Sequence, residues 1–163
     1  MCTKKNTHER SSSQKGLQPV PDDQTKNMIM TYFEALNQRD FDTVMSLTHP
    51  SYALDVPSLL AYIRENSISF NIISCSLFMD QDEFRKTIEH LYEEDVVQPV
   101  FKRGLSYNLQ LVFAEADQLS HRFLFYMDVA ETEDGWKVLD PLAIQAAIGI
   151  ELKIKELKRK VKR

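Results

Sequence analysis

Apolar positions recur with a helical period through residues 25–57, and that stretch organises the rest of the chain. Ile29, Phe33 and Leu36 fall on one face, with Met28, Tyr32 and Ala35 widening the stripe. The spacing predicts a helix over 25–38 that needs a partner surface. Asn37-Gln38-Arg39 ends the stripe. Asp40 can cap a second helix over 40–47, with Phe41, Val44, Met45 and Leu47 facing inward. His49-Pro50 stops it, because a residue before proline is pushed out of the α region. Pro57 suits the first turn of a third helix, with Leu59, Leu60, Tyr62 and Ile63 on its apolar side and Asn66 at its end.

The period then shortens. Residues 68–79, ISFNIISCSLFM, are β-branched and aromatic, which predicts a strand covered on part of each face. Asp80 and Glu83 have capping-box spacing, and Phe84, Ile88 and Leu91 continue a helix that should fray at Glu93-Glu94-Asp95. A meander follows: strands over 96–101, 105–115, 119–131 and 136–140, with turns at 102–104, 116–118 and 132–135. In the long strand, His121, Phe123, Phe125, Met127 and Val129 form the core face, and Arg122, Leu124, Tyr126, Asp128 and Ala130 the other. From Leu142 the pattern is helical again. Ala147, Ile150, Ile154, Leu157 and Val161 make a narrow stripe that should dock on the chain's own domain, a second subunit or an anionic surface.

Charge divides the chain of 163 residues unevenly. Residues 1–26 carry +2, residues 27–150 carry −11 and residues 151–163 carry +5. The acidic body argues against nucleic-acid binding by the domain itself. No run of eighteen apolar residues occurs, so no membrane-spanning helix is expected. Residues 1–21 lack periodicity and read as a flexible tether, followed by a domain over 22–141 and a basic amphipathic helix over 142–163. Cys2 before a Ser/Lys/Asn-rich tether resembles the mature start of a bacterial lipoprotein, with Met1 as a start codon added after removal of a signal peptide. That reading makes Cys2 a lipidation site and the protein extracytoplasmic and membrane-anchored. A chance cysteine in a cytoplasmic protein is the alternative. Cys75 reads as a small buried hydrophobe.

His8, His49, His90 and His121 never fall in a ligand spacing, so no metal is expected, and His49 reads as a local capping or surface residue. With four glycines, no phosphate-cradling loop can be written, and no cofactor is implied.

The aromatic-rich helix, the break LNQRDFDTVMSL, the apolar-Asp-x-Pro run and the closing segment DVAETEDGWKVLDP together resemble the nuclear transport factor 2-like superfamily. Its members include ketosteroid isomerases, polyketide cyclases and many binding modules. The resemblance implies an α+β cone: a curved, mostly antiparallel sheet wrapped around the N-terminal helices, with a cavity between. Carried over from ketosteroid isomerase, it places Tyr32 on the oxyanion donor and Asp128 on the acid beside it. The general base falls at Val56, with Asp55 one residue early. Tyr32, Asp55 and Asp128 are the catalytic candidates, and Tyr32, Phe33, Tyr52 and Asp55 the candidate ligand pocket. The offset at Asp55 and the polar face of Asp128 weigh against turnover. The expectation is therefore a non-catalytic binding or interaction domain, with a small apolar ligand, a protein partner or a second copy as partner. Membrane-surface association would run through Cys2 or residues 151–163. An isomerase- or cyclase-like enzyme on a small apolar substrate and a structural module dimerising through its sheet are the alternatives.

Overall fold

A computed structural model describes residues 22–89, 102–115 and 118–162. Helix α1 spans Asp22–Gln38, α2 Phe41–Leu47 and α3 Val56–Glu65, with a 3-10 turn over Pro50–Asp55. Strand β1 spans Ile68–Met79, β2 Arg103–Glu115, β3 Gln118–Thr132 and β4 Gly135–Val138. Between β1 and β2, the short α4 (Gln81–Phe84) runs into a π turn over Arg85–Glu89. Helix α5, Leu142–Val161, closes the order. The fold is α+β, with a four-stranded antiparallel sheet in the order β1-β2-β3-β4. Cys2 and its tether, the run 96–101 and the acidic group Glu93-Glu94-Asp95 lie outside the described residues.

The local signals act as their chemistry dictates. The Asp40 carboxylate accepts from the Thr43 amide at the start of α2, and Asn66 ends α3. Asp80 accepts from the Asp82 and Glu83 amides while Glu83 accepts from the Asp80 amide, completing the box that starts α4. The segment Asn37-Gln38-Arg39 does more than stop α1. Arg39 takes a left-handed conformation (φ 59°), and its guanidinium donates to the carbonyls of Leu36 at 2.8 Å and Ile68 at 2.7 Å. The Asn37 amide donates to the Phe70 carbonyl at 2.9 Å and accepts from the Phe70 amide at 2.7 Å. One side chain thus stands in for a missing neighbouring strand on the edge of β1.

Helices α1 and α3 cover one face of the sheet. Ile29, Tyr32, Leu36, Leu59 and Ile63 meet Leu109, Leu111, Phe113, Phe125 and Val129 in one buried cluster. Phe33 is buried against Phe70 in an edge-to-face contact, ring centroids 5.3 Å apart. The core face expected for β3, His121 through Val129, is buried throughout.

Some expectations need correction. Arg103 and Gly104 belong to β2 rather than to a turn, paired with Glu131 and Ala130. Arg103 Nε donates to the Glu131 carboxylate at 2.6 Å and holds its pKa below the usual range. Strand β1 is covered on part of each face, as expected: Ile68 and Phe70 are buried in the main core, and Met79, paired with Ser106 on the outer face, packs against the Phe84 cluster. Bulges after Ile72 and Leu77 add Ile73 and Phe78, and both remain exposed. Helix α5 docks through Ile144 and Ile148, which are fully buried, while Ile150, Ile154 and Leu157 stay exposed. The docked residues sit more than a quarter-turn around the helix from the visible stripe, and the longer run of large apolar residues in the basic half masked them.

Candidate functional site

Tyr32 projects from the middle of α1 and is fully buried. Its hydroxyl has no hydrogen-bond partner among the described residues, and Thr48, whose own hydroxyl donates to the Val44 carbonyl at 2.8 Å, is close but outside hydrogen-bonding geometry. Burial drives the phenol pKa well above its ordinary value, and proximity to Thr48 offsets this only in part. The edge-to-face ring of Phe33 lies 6.0 Å away, and Tyr107, Leu109 and Leu111 fill the sheet side of the core. Side chains therefore occupy the space between α1 and the sheet. The Tyr32 hydroxyl is thus enclosed among these side chains.

Asp55 and Val56 sit at the entry to α3. Val56, on the position of the general base, is fully buried, while Asp55 is half-buried at the end of the 3-10 turn. His49 opens that turn: its Nδ1 accepts from the Ser51 amide at 3.2 Å, and burial lowers its pKa. The capping role fits the expectation, but His49 is buried rather than on the surface. Tyr52 is half-buried against a small satellite cluster of Phe84, Ala130 and Leu139, remote in role from Tyr32 and Phe33.

Asp128 lies where β4 stops covering β3. The Leu139 amide donates to the Asp128 carbonyl at 3.0 Å, and beyond that point the β3 edge opens. A cleft of about 130 Å³ forms there, lined by Phe125, Met127, Asp128, Leu139, Asp140 and Ile144 among others. That volume is below the few hundred Å³ typical of small-molecule sites. Asp140 at its rim is the residue sequence reasoning missed. Its carboxyl pKa is raised, first by burial and then by the charges of Asp55 and Asp128, with the Ala143 and Leu142 amides acting in the other direction. The structure thus brings Asp55 and Asp128 to a third aspartate and not to the Tyr32 hydroxyl. The signal available was Asp140-Pro141 ahead of a helix, a start signature that also marks a charge next to buried surface.

Asp140 has a left-handed backbone (φ 44°), which asparagine tolerates well. A carboxyl whose folded pKa is raised penalises folding above that pKa, and the penalty fades as pH falls and both states become protonated. Asp140→Asn should therefore raise the melting temperature at pH 8, with the gain shrinking towards pH 4. A melting temperature unchanged or lowered at pH 8 would show that the helix-start amides outweigh the repulsion.

At the other end of β3, His121 stacks on Phe113 (centroids 4.7 Å apart, 8° between planes). Lys155 Nζ lies 3.2 Å from its Nε2 and the Glu115 carboxylate 3.7 Å away. Burial lowers its pKa, as does Lys155, while Glu115 and Glu151 oppose. The cluster fastens α5 to the β2–β3 end of the sheet. Cys75 is half-buried on the covered face of β1, opposite Leu109. Among the described residues, no group of three or more His, Cys, Asp or Glu is arranged to hold a metal, and no helix is long and apolar enough to cross a membrane.

No family model matches the sequence, and no curated protein matches it. Among solved structures, the chain is similar to the crystal structure of the intermembrane space region of the chloroplast protein ARC6, with a TM-score of 0.50 and 6% identity over 74% of this chain and 94% of that one. At such identity the likeness concerns the fold alone.

Proposed function

We propose that this is a non-catalytic interaction domain on a nuclear transport factor 2-like frame, and that its open sheet face pairs with a second copy. The observation that carries the reading is the pattern on the outer face of β3. Arg122, Leu124, Tyr126 and Asp128 share that face, and Leu124 and Tyr126 are 50% and 47% exposed. Phe78 of β1 joins them, its ring 4.7 Å from that of Tyr126. Neutral Ser74, Ser76, Asn108 and Gln110 surround this patch through the cross-strand register. The four β3 residues read as cation, apolar, apolar, anion. A two-fold axis across the strand at Phe125 would set Leu124 against the second copy's Tyr126 and Arg122 against its Asp128. Such self-complementarity is what an isologous interface requires. The filled space around Tyr32 supports the non-catalytic half of the reading.

Sedimentation equilibrium tests it. The expected result is twice the 19.0 kDa chain mass. Arg122→Asp should give a monomer, and the double variant Arg122→Asp/Asp128→Arg should restore the dimer. A monomer at every concentration would reject the pairing. Isomerisation of an enolisable ketone that is lost in Tyr32→Phe would reject the non-catalytic assignment.

A further inference from the structure

Helix α5 has two apolar faces, and only one is used. Ile144 and Ile148 are buried in the core, with Leu152 partly buried behind them. Ile150, Ile154, Leu157 and Val161 are 60%, 39%, 54% and 87% exposed. At 3.6 residues per turn, those four fall within about 60° of one another. Their spacing of four, three and four is that of a coiled-coil seam, with β-branched Ile154 and Val161 at one core position and Ile150 and Leu157 at the other. Lys153 and Lys160 flank the seam on one side, and Glu151 and Lys158 on the other.

The charge around the seam selects its occupant. Residues 151–162 hold six basic and two acidic side chains, and Glu156 is already paired with Lys160 at 2.6 Å. A parallel pairing with a second copy would set Lys153 against Lys158. An antiparallel one would gain Glu151–Lys158 contacts but set Lys153 against Lys160, and either would bring two strongly cationic helices together. A lipid surface fits less well: a membrane-surface helix carries a broad apolar face, commonly with aromatic residues, and this stripe is narrow and α5 has none. Anchoring through Ile144 and Ile148 has already ordered the helix, so a partner does not meet the nucleation cost on this side.

The geometry points to a docking seam on α5 for an amphipathic helix of another protein, one that carries an apolar seam flanked by Glu or Asp. This deepens the interaction-domain reading and rests on it, but uses a surface separate from the β3 face.

The experiment uses the full chain and two synthetic helical peptides of about three heptads, identical in their Leu/Ile seam, one with Glu and one with Lys at every flanking position. Fluorescence anisotropy should show micromolar binding of the Glu peptide, at least about tenfold weaker binding of the Lys peptide, and loss of affinity as salt rises from about 0.05 to 0.3 M. Ile154→Lys/Leu157→Lys should abolish binding while leaving the melting temperature and the sedimentation mass unchanged. Equal binding of both peptides, or binding of neither, overturns the inference. Preferential binding to vesicles containing about 30% phosphatidylserine over the Glu peptide overturns it in favour of a lipid surface. Since the sheet-face reading is scored by mass and the seam by peptide affinity, failure of one leaves the other standing.

Discussion

Tyr32→Ala should lower the unfolding free energy by about 3–5 kcal/mol, the range for emptying a fully buried aromatic site. Against a total of about 5–15 kcal/mol for an ordinary domain, that is a large share. The size follows from position: Tyr32 is fully buried in α1, in the cluster with Phe33, Leu36 and the inner face of β2. Urea titration with an unchanged slope would register it as loss of folded-state packing. Tyr32→Phe separates the ring from its hydroxyl. The hydroxyl is buried without a partner among the described residues, so removing it should leave stability unchanged or raise it by up to about 1 kcal/mol. A loss above about 2 kcal/mol in Tyr32→Phe would mean that the hydroxyl bonds Thr48 in solution.

The same residue marks the limit of what the sequence made legible. Periodicity placed Tyr32 on the inward stripe of α1, and the stripe is buried. Whether a tyrosine on such a stripe meets a cavity or other side chains depends on the volume opposite, which Tyr107, Leu109 and Leu111 supply from a strand seventy-odd positions away. Local signals read well because their physics is local. Asp40, Asn66, Pro57 and the Asp80/Glu83 pair act within four residues of themselves, and each acts as expected. Asp128 shows the opposite case. Alternation put it on the polar face correctly, but its company of Asp55 and Asp140 is assembled by the end of β4 and the start of α5.

For helix α5 only the docking of the stripe on the chain's own domain is overturned, and for a different reason. A stripe read from sequence reports that an apolar face exists, not which of two faces meets the domain. Ile144 and Ile148 make a shorter run than Ile150 through Val161, yet they win because they are nearest the point where the chain leaves β4. The basic half then carries its own exposed stripe, and the charge that hid the docking face now limits what can cover the other.

The second large effect is expected at Gly104. In sequence, Lys102-Arg103-Gly104 has the look of a turn, but Gly104 has a different purpose in β2. A Cβ built there would fall inside the van der Waals envelope of the Phe84 ring, at Cε1 and Cδ1. Phe84 is 1% exposed, fixed by the capping box of α4 below it and closed in by Ala130 and Leu139. Gly104 lies directly opposite Ala130 in the β2–β3 ladder, so the small residues of two strands form the seat for one ring. The ring cannot stay where it is once a methyl group enters. Overpacking alone costs about 1–3 kcal/mol, and ejecting the ring adds part of the loss of a buried aromatic. Gly104→Ala should therefore destabilise by about 3 kcal/mol, comparable to Phe84→Ala itself. Because both changes empty the same seat, the double variant Gly104→Ala/Phe84→Ala should cost clearly less than the two single effects added, a coupling of about 1–3 kcal/mol. Additive costs would place the strain in the β2 backbone instead of against Phe84.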